Sequence, residues 1–271
     1  MLTASARGIG RARALWAYRG FVVGMVNRDF QGRYLGSVLG ASWAVLNPLA
    51  QILVYTLVFS QVMRARLPGT QDTLAYVLYL CAGLLTWGYF VEVLSRGQTV
   101  FLEQANLLKK VNFPRVSLPI YVFLSASINF AIIWGLFLGF LLITGRWPGV
   151  VLVGLIPLFL IHQMLAISLG VLLGVINVFF RDVGQAVGVA LQFWFWLTPI
   201  VYPIDAVPAS AQRLIAWNPL YPLVAGYQRI IVEHRWPVWT DLWPVACLAA
   251  VAALISDLAF RRLSPAMTDE V

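Results

Sequence analysis

Residues 150–180 read VVLVGLIPLFLIHQMLAISLGVLLGVINVFF, a stretch without any Asp, Glu, Lys or Arg. A helix needs about 20 consecutive apolar residues to cross the hydrocarbon core of a bilayer. A run that exceeds this length can cross at a tilt or extend beyond the bilayer. The stretch therefore predicts a membrane-spanning helix and indicates an integral membrane protein.

The rest of the chain has the same character. Of its 271 residues, 61% are hydrophobic and 11% are charged, whereas about 25% of the residues of a soluble protein are charged. We expect one all-α domain, residues 1–271, with an interface helix in residues 1–35, a membrane part at 38–260 and a cytoplasmic tail at 261–271. The length criterion predicts about six transmembrane helices, at residues 38–62, 74–94, 118–143, 150–180, 183–201 and 242–260.

The positive charges predict the orientation of these spans. Cytoplasmic loops of membrane proteins are enriched in Lys and Arg, and most of the 19 basic residues fall there if both termini are cytoplasmic. This placement accounts for the net charge of +8, since no basic helix with interleaved aromatic residues lies outside the apolar runs. We expect a multi-pass protein of the cytoplasmic (inner) membrane, in contact with the lipid bilayer and without a nucleic-acid partner.

The segment before the first span, residues 14–30, mixes aromatic and apolar residues with charged ones. Such a mixture is typical of an amphipathic helix that lies in the membrane interface. Its candidate functional residues are Arg28, Asp29 and Arg33. The alternative is a short additional span, but Arg19 and Arg28 limit the clean apolar run to about eight residues, which is too short to cross.

A second irregular segment, residues 202–241, separates the last two spans and contains five prolines. Within it, NPLYPLVAGYQRIIV is apolar but too short to cross a bilayer. We therefore expect short re-entrant helices on the external side. Non-helical backbone at membrane depth persists only where protein or water satisfies it, so such segments often border a pathway.

The motifs of several enzyme classes are missing from the sequence. No Gly-rich loop ends in Gly-Lys-Ser or Gly-Lys-Thr, and no His-Glu-x-x-His or Gly-x-Ser-x-Gly motif occurs. The acidic residues are scattered rather than clustered. We expect a chain that is not an enzyme, binds no metal or cofactor itself, and needs a partner for any ATP-driven action.

Three stretches, in order and with matching spacing, resemble ABC-2 type transporter permeases that export polysaccharides. They are RDFQGRYLGSVLGASWAVLNPLAQILVYTLVF at 28–59, KKVNFPRVSLP at 109–119, and NVFFRDVGQAVGVALQFWFWLTPIVYPIDAVP at 177–208 followed by WNPLYPLVAGYQRII. The resemblance covers residues 15–262. It implies a homodimer with two copies of a separate ATPase that binds ATP and Mg, and an undecaprenyl-linked polysaccharide as substrate, such as O-antigen or capsule.

The resemblance also gives a role to FLEQANLLKKVNFPRVSLP at 101–119. As a helix that Pro114 ends, this segment would carry Phe101, Ala105 and Leu108 on one face and Glu103, Asn106 and Lys110 on the other. In the family this region passes ATPase closure to the spans. The candidate coupling residues are Glu103, Asn106, Lys110, Arg115, Arg181 and Asp182. The alternatives are a plain interfacial helix and, for Asp182, a role in capping the next helix.

Aromatic side chains are the candidates for a polysaccharide path, because sugar rings present apolar C–H faces. The candidate lining residues are Phe193, Trp194, Phe195, Trp196 and Tyr202 near the outer surface, and Tyr34, Trp43, Trp87 and Tyr89 at the other end. The alternative for each is the aromatic belt of bilayer interfaces. Two other functions stay open: an ABC-2 permease for drugs or lipids, and a membrane-bound glycosyl or phosphoryl transferase.

Overall fold

The structure of the protein is a computed structural model that describes residues 16, 18–34, 39–62, 67–68, 72–110 and 113–270. In these ranges the regular secondary structure is helical and no strand is present, which confirms an all-α protein. In chain order the α-helices are α1 (Arg19–Tyr34), α2 (Trp43–Tyr55), α3 (Thr73–Glu103), α4 (Ala105–Lys110), α5 (Ser117–Ile143), α6 (Leu155–Phe179), α7 (Asp182–Trp196), α8 (Ala209–Ile215), α9 (Leu220–Gln228), α10 (Trp239–Leu263) and α11 (Met267–Glu270). A 3-10 turn, Gly149–Gly154, leads into α6, and π-helical turns extend α2 over Thr56–Val62 and α9 over Arg229–Glu233.

Four of these helices are long and apolar enough to cross a membrane: α3, α5, α6 with its 3-10 turn, and α10. They correspond to four of the six predicted spans. The first predicted span appears as a shorter apolar helix, Trp43–Phe59. The fifth appears as α7, which has 15 residues and ends at Trp196 rather than at residue 201. Pro199 and Pro203 follow directly, and a proline cannot continue a helix because it lacks the backbone N–H.

Helix α3 is longer than the bilayer core requires. Its 31 residues extend about 46 Å at 1.5 Å per residue, against a hydrocarbon core of about 30 Å. Residues 73–91 contain no charge, whereas Glu92, Arg96 and Glu103 follow in the second part. Helix α3 therefore continues nine residues beyond the end of the predicted span 74–94, to Glu103.

The two ends of the bundle differ in character. At one end a hydrophobic cluster joins α1, the end of α3, α4, the start of α5 and the ends of α6 and α10, with Phe101, Leu108, Phe113 and Phe260 buried in it. We call this end the basic face, because its helices and turns carry many basic residues. They are Arg28, Arg33, Arg96, Lys109, Arg115, Arg181, Arg261 and Arg262. We call the other end, which carries residues 197–238, the loop face.

Close helix packing joins α3 to α6. A Cβ added to Gly174 would lie 2.4 Å from the carbonyl oxygen of Gly97, and one added to Gly97 would lie 2.9 Å from Cα of Gly170. Small residues four apart allow helix backbones to approach in this way. The sequence contains several Gly-xxx-Gly pairs. One of them, Gly170/Gly174, serves contact within one chain, whereas Gly135 and Gly139, another pair, have open space around them.

Candidate functional site

A group of charged side chains connects α1 to α3 near the basic face. Arg96 of α3 donates to Asp29 of α1 at 2.8 Å, and Arg33 of α1 donates to Glu92 of α3 at 2.8 Å. Each pair is also linked within its own helix, Arg33 to Asp29 at 3.3 Å and Arg96 to Glu92 at 3.3 Å. Two acids and two arginines therefore neutralise each other in a closed set.

Helix α5 completes this set with neutral partners. Asn129 donates to Glu92 at 2.8 Å, and Ser125 donates to Asp29. The four charged side chains are only 19–28% exposed. We call Asp29, Arg33, Glu92, Arg96, Ser125 and Asn129 the charge network, and it holds α1, α3 and α5 together at the edge of the apolar bundle.

The charge network clarifies the predicted interface helix. Asp29 and Arg33 belong to it. Arg28 is exposed, and among the described residues its side chain bonds to the carbonyl oxygen of Gly24, at 3.5 Å, on its own helix. The face of α1 that carries Asp29 and Arg33 also packs on the protein through Val22, Met25 and Val26, which are buried. Arg96 was not among the predicted site residues. Its position four residues after Glu92 in an otherwise apolar run was the signal that could have identified it.

The segment 101–119 has the two predicted faces, but it is divided between the end of α3, the short α4 and the start of α5 rather than forming one helix. α3 ends at Glu103, Gln104 breaks the helix, and α4 follows. Phe101 and Leu108 are buried, whereas Glu103 and Asn106 are exposed, as predicted. The side chain of Lys110 lies outside the described part of the chain.

The other candidate coupling residues have different surroundings. Arg115 donates to the backbone carbonyl and, at 3.1 Å, to the hydroxyl of Ser264, so it anchors the end of α10. Arg181 and Asp182 are exposed at the α6–α7 turn. Asp182 lies in the first turn of α7, where a negative charge is favourable at a helix N-terminus. The Oδ1 atom of Asn177 accepts from the N–H of Gly184 at 3.1 Å.

The four consecutive aromatic residues of α7 divide between two faces. Trp194 donates its Nε1–H to Asn218 at 2.8 Å, and the ring of Phe195 packs on Trp87 with centroids 5.6 Å apart. Phe193 and Trp196 are 68% and 64% exposed. The surface of one chain thus offers Phe193 and Trp196, while Trp194 and Phe195 point into the bundle.

The remaining lining candidates are distributed between core and surface. Trp87 and Tyr89 are 9% and 3% exposed and belong to the main core. In this arrangement they are packing residues rather than surface open to a polymer. Tyr202 donates its hydroxyl to the carbonyl oxygen of Trp196 at 2.5 Å, and Trp43 is exposed at the start of α2. The side chain of Tyr34 lies outside the described residues.

Asn218 organises the loop face through four hydrogen bonds. Its Oδ1 atom accepts from Trp194 and, at 3.0 Å, from the N–H of Leu220. Its Nδ2 group donates to the Thr198 hydroxyl at 2.8 Å and to the Leu197 carbonyl at 3.1 Å. These bonds use every donor and acceptor of the amide, and they join the end of α7 to the start of α9.

The non-helical stretch 197–203 is held by helix α3 as well. Tyr76 donates to the carbonyl oxygen of Val201 at 2.7 Å, and Tyr79 lies 3.1 Å from the carbonyl oxygens of Pro199 and Tyr202. Gln228 of α9 donates to the Pro199 carbonyl at 3.3 Å. Side chains thereby satisfy an irregular backbone that begins within the predicted fifth span, 183–201, and continues into the predicted irregular segment 202–241.

The described residues do not form a metal-binding site. Among them, no three His, Cys, Asp or Glu side chains come together in a way that could hold an ion. The arrangement instead combines ion pairs, amide hydrogen bonds and aromatic surfaces, which are means of positioning and binding.

Comparison with known proteins agrees with this geometry. Residues 22–232 match the family model of the ABC-2 type transporter. The chain is 35% identical over 245 residues to the O-antigen export system permease protein RfbA of Myxococcus xanthus, covering 90% of this chain and 91% of that protein. It is 28% identical to RfbA of Klebsiella pneumoniae, over 78% of this chain and 80% of that protein. It is 19% identical to the polysialic acid transport protein KpsM of Escherichia coli, over 89% of this chain and 92% of that protein.

The family match covers more than half of the chain, and one relative exceeds 30% identity over most of both lengths. The family is one of transport permeases, which confirms the prediction of a transport subunit rather than an enzyme. It also implies an ATPase partner and a multi-pass membrane protein. The chain belongs to the ABC-2 type transporter membrane-domain family.

Proposed function

We propose that the chain is the permease subunit of an ABC exporter that moves a lipid-linked polysaccharide across the inner membrane. The observation that carries this proposal is the 35% identity to an O-antigen export permease over 90% of the chain. The carrier lipid in this proposal is undecaprenyl, and the polymer is O-antigen or capsule. ATP and Mg act on the partner ATPase, not on this chain.

The charges support an orientation with the basic face in the cytoplasm. Basic residues accumulate on the cytoplasmic side of membrane proteins, and both described ends of the chain, α1 and α11, contribute to the basic-face cluster through Val22 and Met267. Both termini would then be cytoplasmic. The loop face, with its re-entrant helices α8 and α9, would face the exterior.

In this orientation the end of α3 projects towards the ATPase. Glu103 and Asn106 are exposed there, and Arg181 and Asp182 are exposed at the neighbouring turn. We assign these four residues, with Lys110, to contact with two ATPase copies, one on each subunit of a homodimer. Arg115 supports this surface from behind, through its bonds to Ser264.

Reversing the charge of the exposed acids tests this contact. We expect Glu103→Arg with Asp182→Arg to reduce the ATPase that co-purifies with the chain to about a tenth, since a loss of about 1.4 kcal/mol is tenfold in affinity. Arg213→Glu, a single charge reversal on an exposed residue of the loop face, serves as the control. Unchanged co-purification of the double variant would remove these residues from the interface.

A path for the polymer would run along α7 in the homodimer. Most of α7 is exposed in one chain, and only Val187 and Leu191 are fully buried. Phe193 and Trp196 lie on the exposed part and provide flat apolar surfaces for the C–H faces of sugars. Trp194, Phe195, Trp87 and Tyr89 support that surface from within the chain in this proposal.

The fate of the polymer in cells tests the function as a whole. We expect inactivation of this chain in its host to remove the polysaccharide from the cell surface and to accumulate it in the cytoplasm, as measured by fractionation and gel analysis. Inactivating the partner ATPase should give the same result. Normal surface polymer together with altered resistance to small amphiphiles would instead indicate a permease for drugs or lipids.

A further inference from the structure

A cavity of about 570 Å³ opens on the loop face. Its walls come from the start of α3, the loop after α5, the turn at 203–205, α9 with its π-helical extension, and the start of α10. The volume lies within the range of small-molecule binding sites. We call this cavity the vestibule, and its charged lining residues are Asp72, Arg146, Asp205, Arg229, Glu233 and Asp241.

The charges of the described residues that line the vestibule do not cancel. Arg146 forms an ion pair with Asp72, and Nε of Arg229 lies 3.5 Å from Glu233. Both arginines are therefore already paired. Asp205 and Asp241 form no ion pair with any of the described residues. Two carboxylates without an ion-pair partner among the described residues give this concave lining a negative potential, which repels anionic ligands.

Neutral hydrogen-bonding groups lie beside these carboxylates. Tyr221 lines the same cavity. Burial, and after it the negative charges of Asp241 and Asp205, raise the pKa of the Tyr221 hydroxyl. The phenol therefore stays protonated at neutral pH and can donate a hydrogen bond, while the carboxylates accept. A sugar hydroxyl, which both donates and accepts, matches this combination.

Hydrogen bonds within the chain hold two lining side chains of the vestibule in place before any ligand binds. Tyr79 and Gln228 line the vestibule and also bond to the stretch 197–203, both of them to the carbonyl of Pro199, at 3.1 and 3.3 Å. A site whose side chains are already held in place loses less conformational entropy on binding. The same contacts connect the vestibule to the end of α7.

We propose that the vestibule binds neutral saccharide units of the exported polymer and excludes anionic ones. The inference rests on the proposed export function and adds a substrate class, a polymer of neutral sugars. The pair Asp205 and Asp241 would accept hydrogen bonds from sugar hydroxyls, and Tyr221 would donate one.

Oligosaccharide binding to the full-length chain in lipid nanodiscs tests this inference. The probes are neutral tetrasaccharides of glucose, galactose, mannose and N-acetylglucosamine, with tetragalacturonate as the anionic counterpart. We expect at least one neutral probe to bind at least about tenfold more tightly than tetragalacturonate by thermophoresis. Asp205→Asn with Asp241→Asn should weaken that neutral probe about tenfold, as expected for lost hydrogen bonds to charged acceptors.

Two controls separate the possible outcomes. Arg213→Gln changes an exposed residue of the loop face outside the vestibule and should leave both affinities unchanged, and melting curves show that each variant is folded. Binding of none of the neutral probes, equal binding of tetragalacturonate, or an unaffected double variant would each overturn the inference. Failure of this binding test does not imply failure of the proposed export function. The assay of surface polymer measures export directly and uses no added oligosaccharide.

Discussion

Replacing Arg96 by alanine should reduce polysaccharide export to less than about a tenth. Arg96 bonds to Asp29 at 2.8 Å and to Glu92 at 3.3 Å. Its removal leaves Asp29 without its closest positive partner and Glu92 with Arg33 alone, and hydrogen bonds to charged groups contribute about 1.5–3 kcal/mol each. The docking of α1 on α3 would weaken near the basic face. The measurements are surface polymer in cells and the melting temperature of the purified chain.

A charge exchange distinguishes this role from a general loss of stability. Asp29→Arg combined with Arg96→Asp restores an opposite pair between α1 and α3 and should recover part of the export that either single variant loses. Arg261→Ala provides a matched control, because Arg261 pairs with Asp257 at 2.5 Å but both side chains are over 40% exposed. Such surface pairs contribute about 0–1 kcal/mol. Normal export by Arg96→Ala, or an exchange no better than the single variants, would contradict the proposed role.

Replacing Asn218 by alanine should have the second large effect, because four hydrogen bonds disappear together. At about 1 kcal/mol each, their loss would destabilise the junction of α7 and α9 by about 4 kcal/mol. We expect a lower melting temperature and little surface polymer. The bonds involved reach Trp194, Thr198 and Leu220 at 2.8–3.0 Å, and Leu197 at 3.1 Å.

Two further variants test whether the loss of stability follows the number of hydrogen bonds removed. Trp194→Phe removes only one of the four bonds and should cost about a quarter as much. Gln192→Ala changes an exposed amide on the same helix as Trp194 and should leave the melting temperature within about a degree of the parent, since exposed substitutions rarely exceed about 0.5 kcal/mol. A melting temperature for Asn218→Ala equal to that of Gln192→Ala would refute the role of Asn218.

The long apolar helices were predictable from the sequence because their signal is local. Each of α3, α5, α6 and α10 is specified by its own run of apolar residues, whatever the rest of the chain does. The two faces of segment 101–119 follow from helical periodicity in the same way. Its division at Gln104 did not follow, since the packing of Leu108 against the basic-face cluster determines how the segment turns.

The polar contacts were less predictable because their partners are distant in sequence. Arg96 meets Asp29 across 67 positions, and Tyr76 meets the carbonyl of Val201 across 125. The aromatic residues of α7 show the same limit at short range. Phe193 and Trp194 are neighbours in sequence, yet one is exposed and the other bonds to Asn218. Composition identifies such residues as candidates, and only the direction of each side chain decides their roles.

Helix α3 is a single uninterrupted rod, since no proline occurs between Thr73 and Glu103. The distance along its axis from Tyr79, which bonds to the stretch 197–203, to Glu103 is about 36 Å. An unbroken helix moves largely as one body, so a change of tilt at Glu103 also changes the orientation of the helix at Tyr79. The timing of ATP hydrolysis on one side of the membrane and of polymer release on the other would then be set by one mechanical element rather than by a sequence of relayed steps.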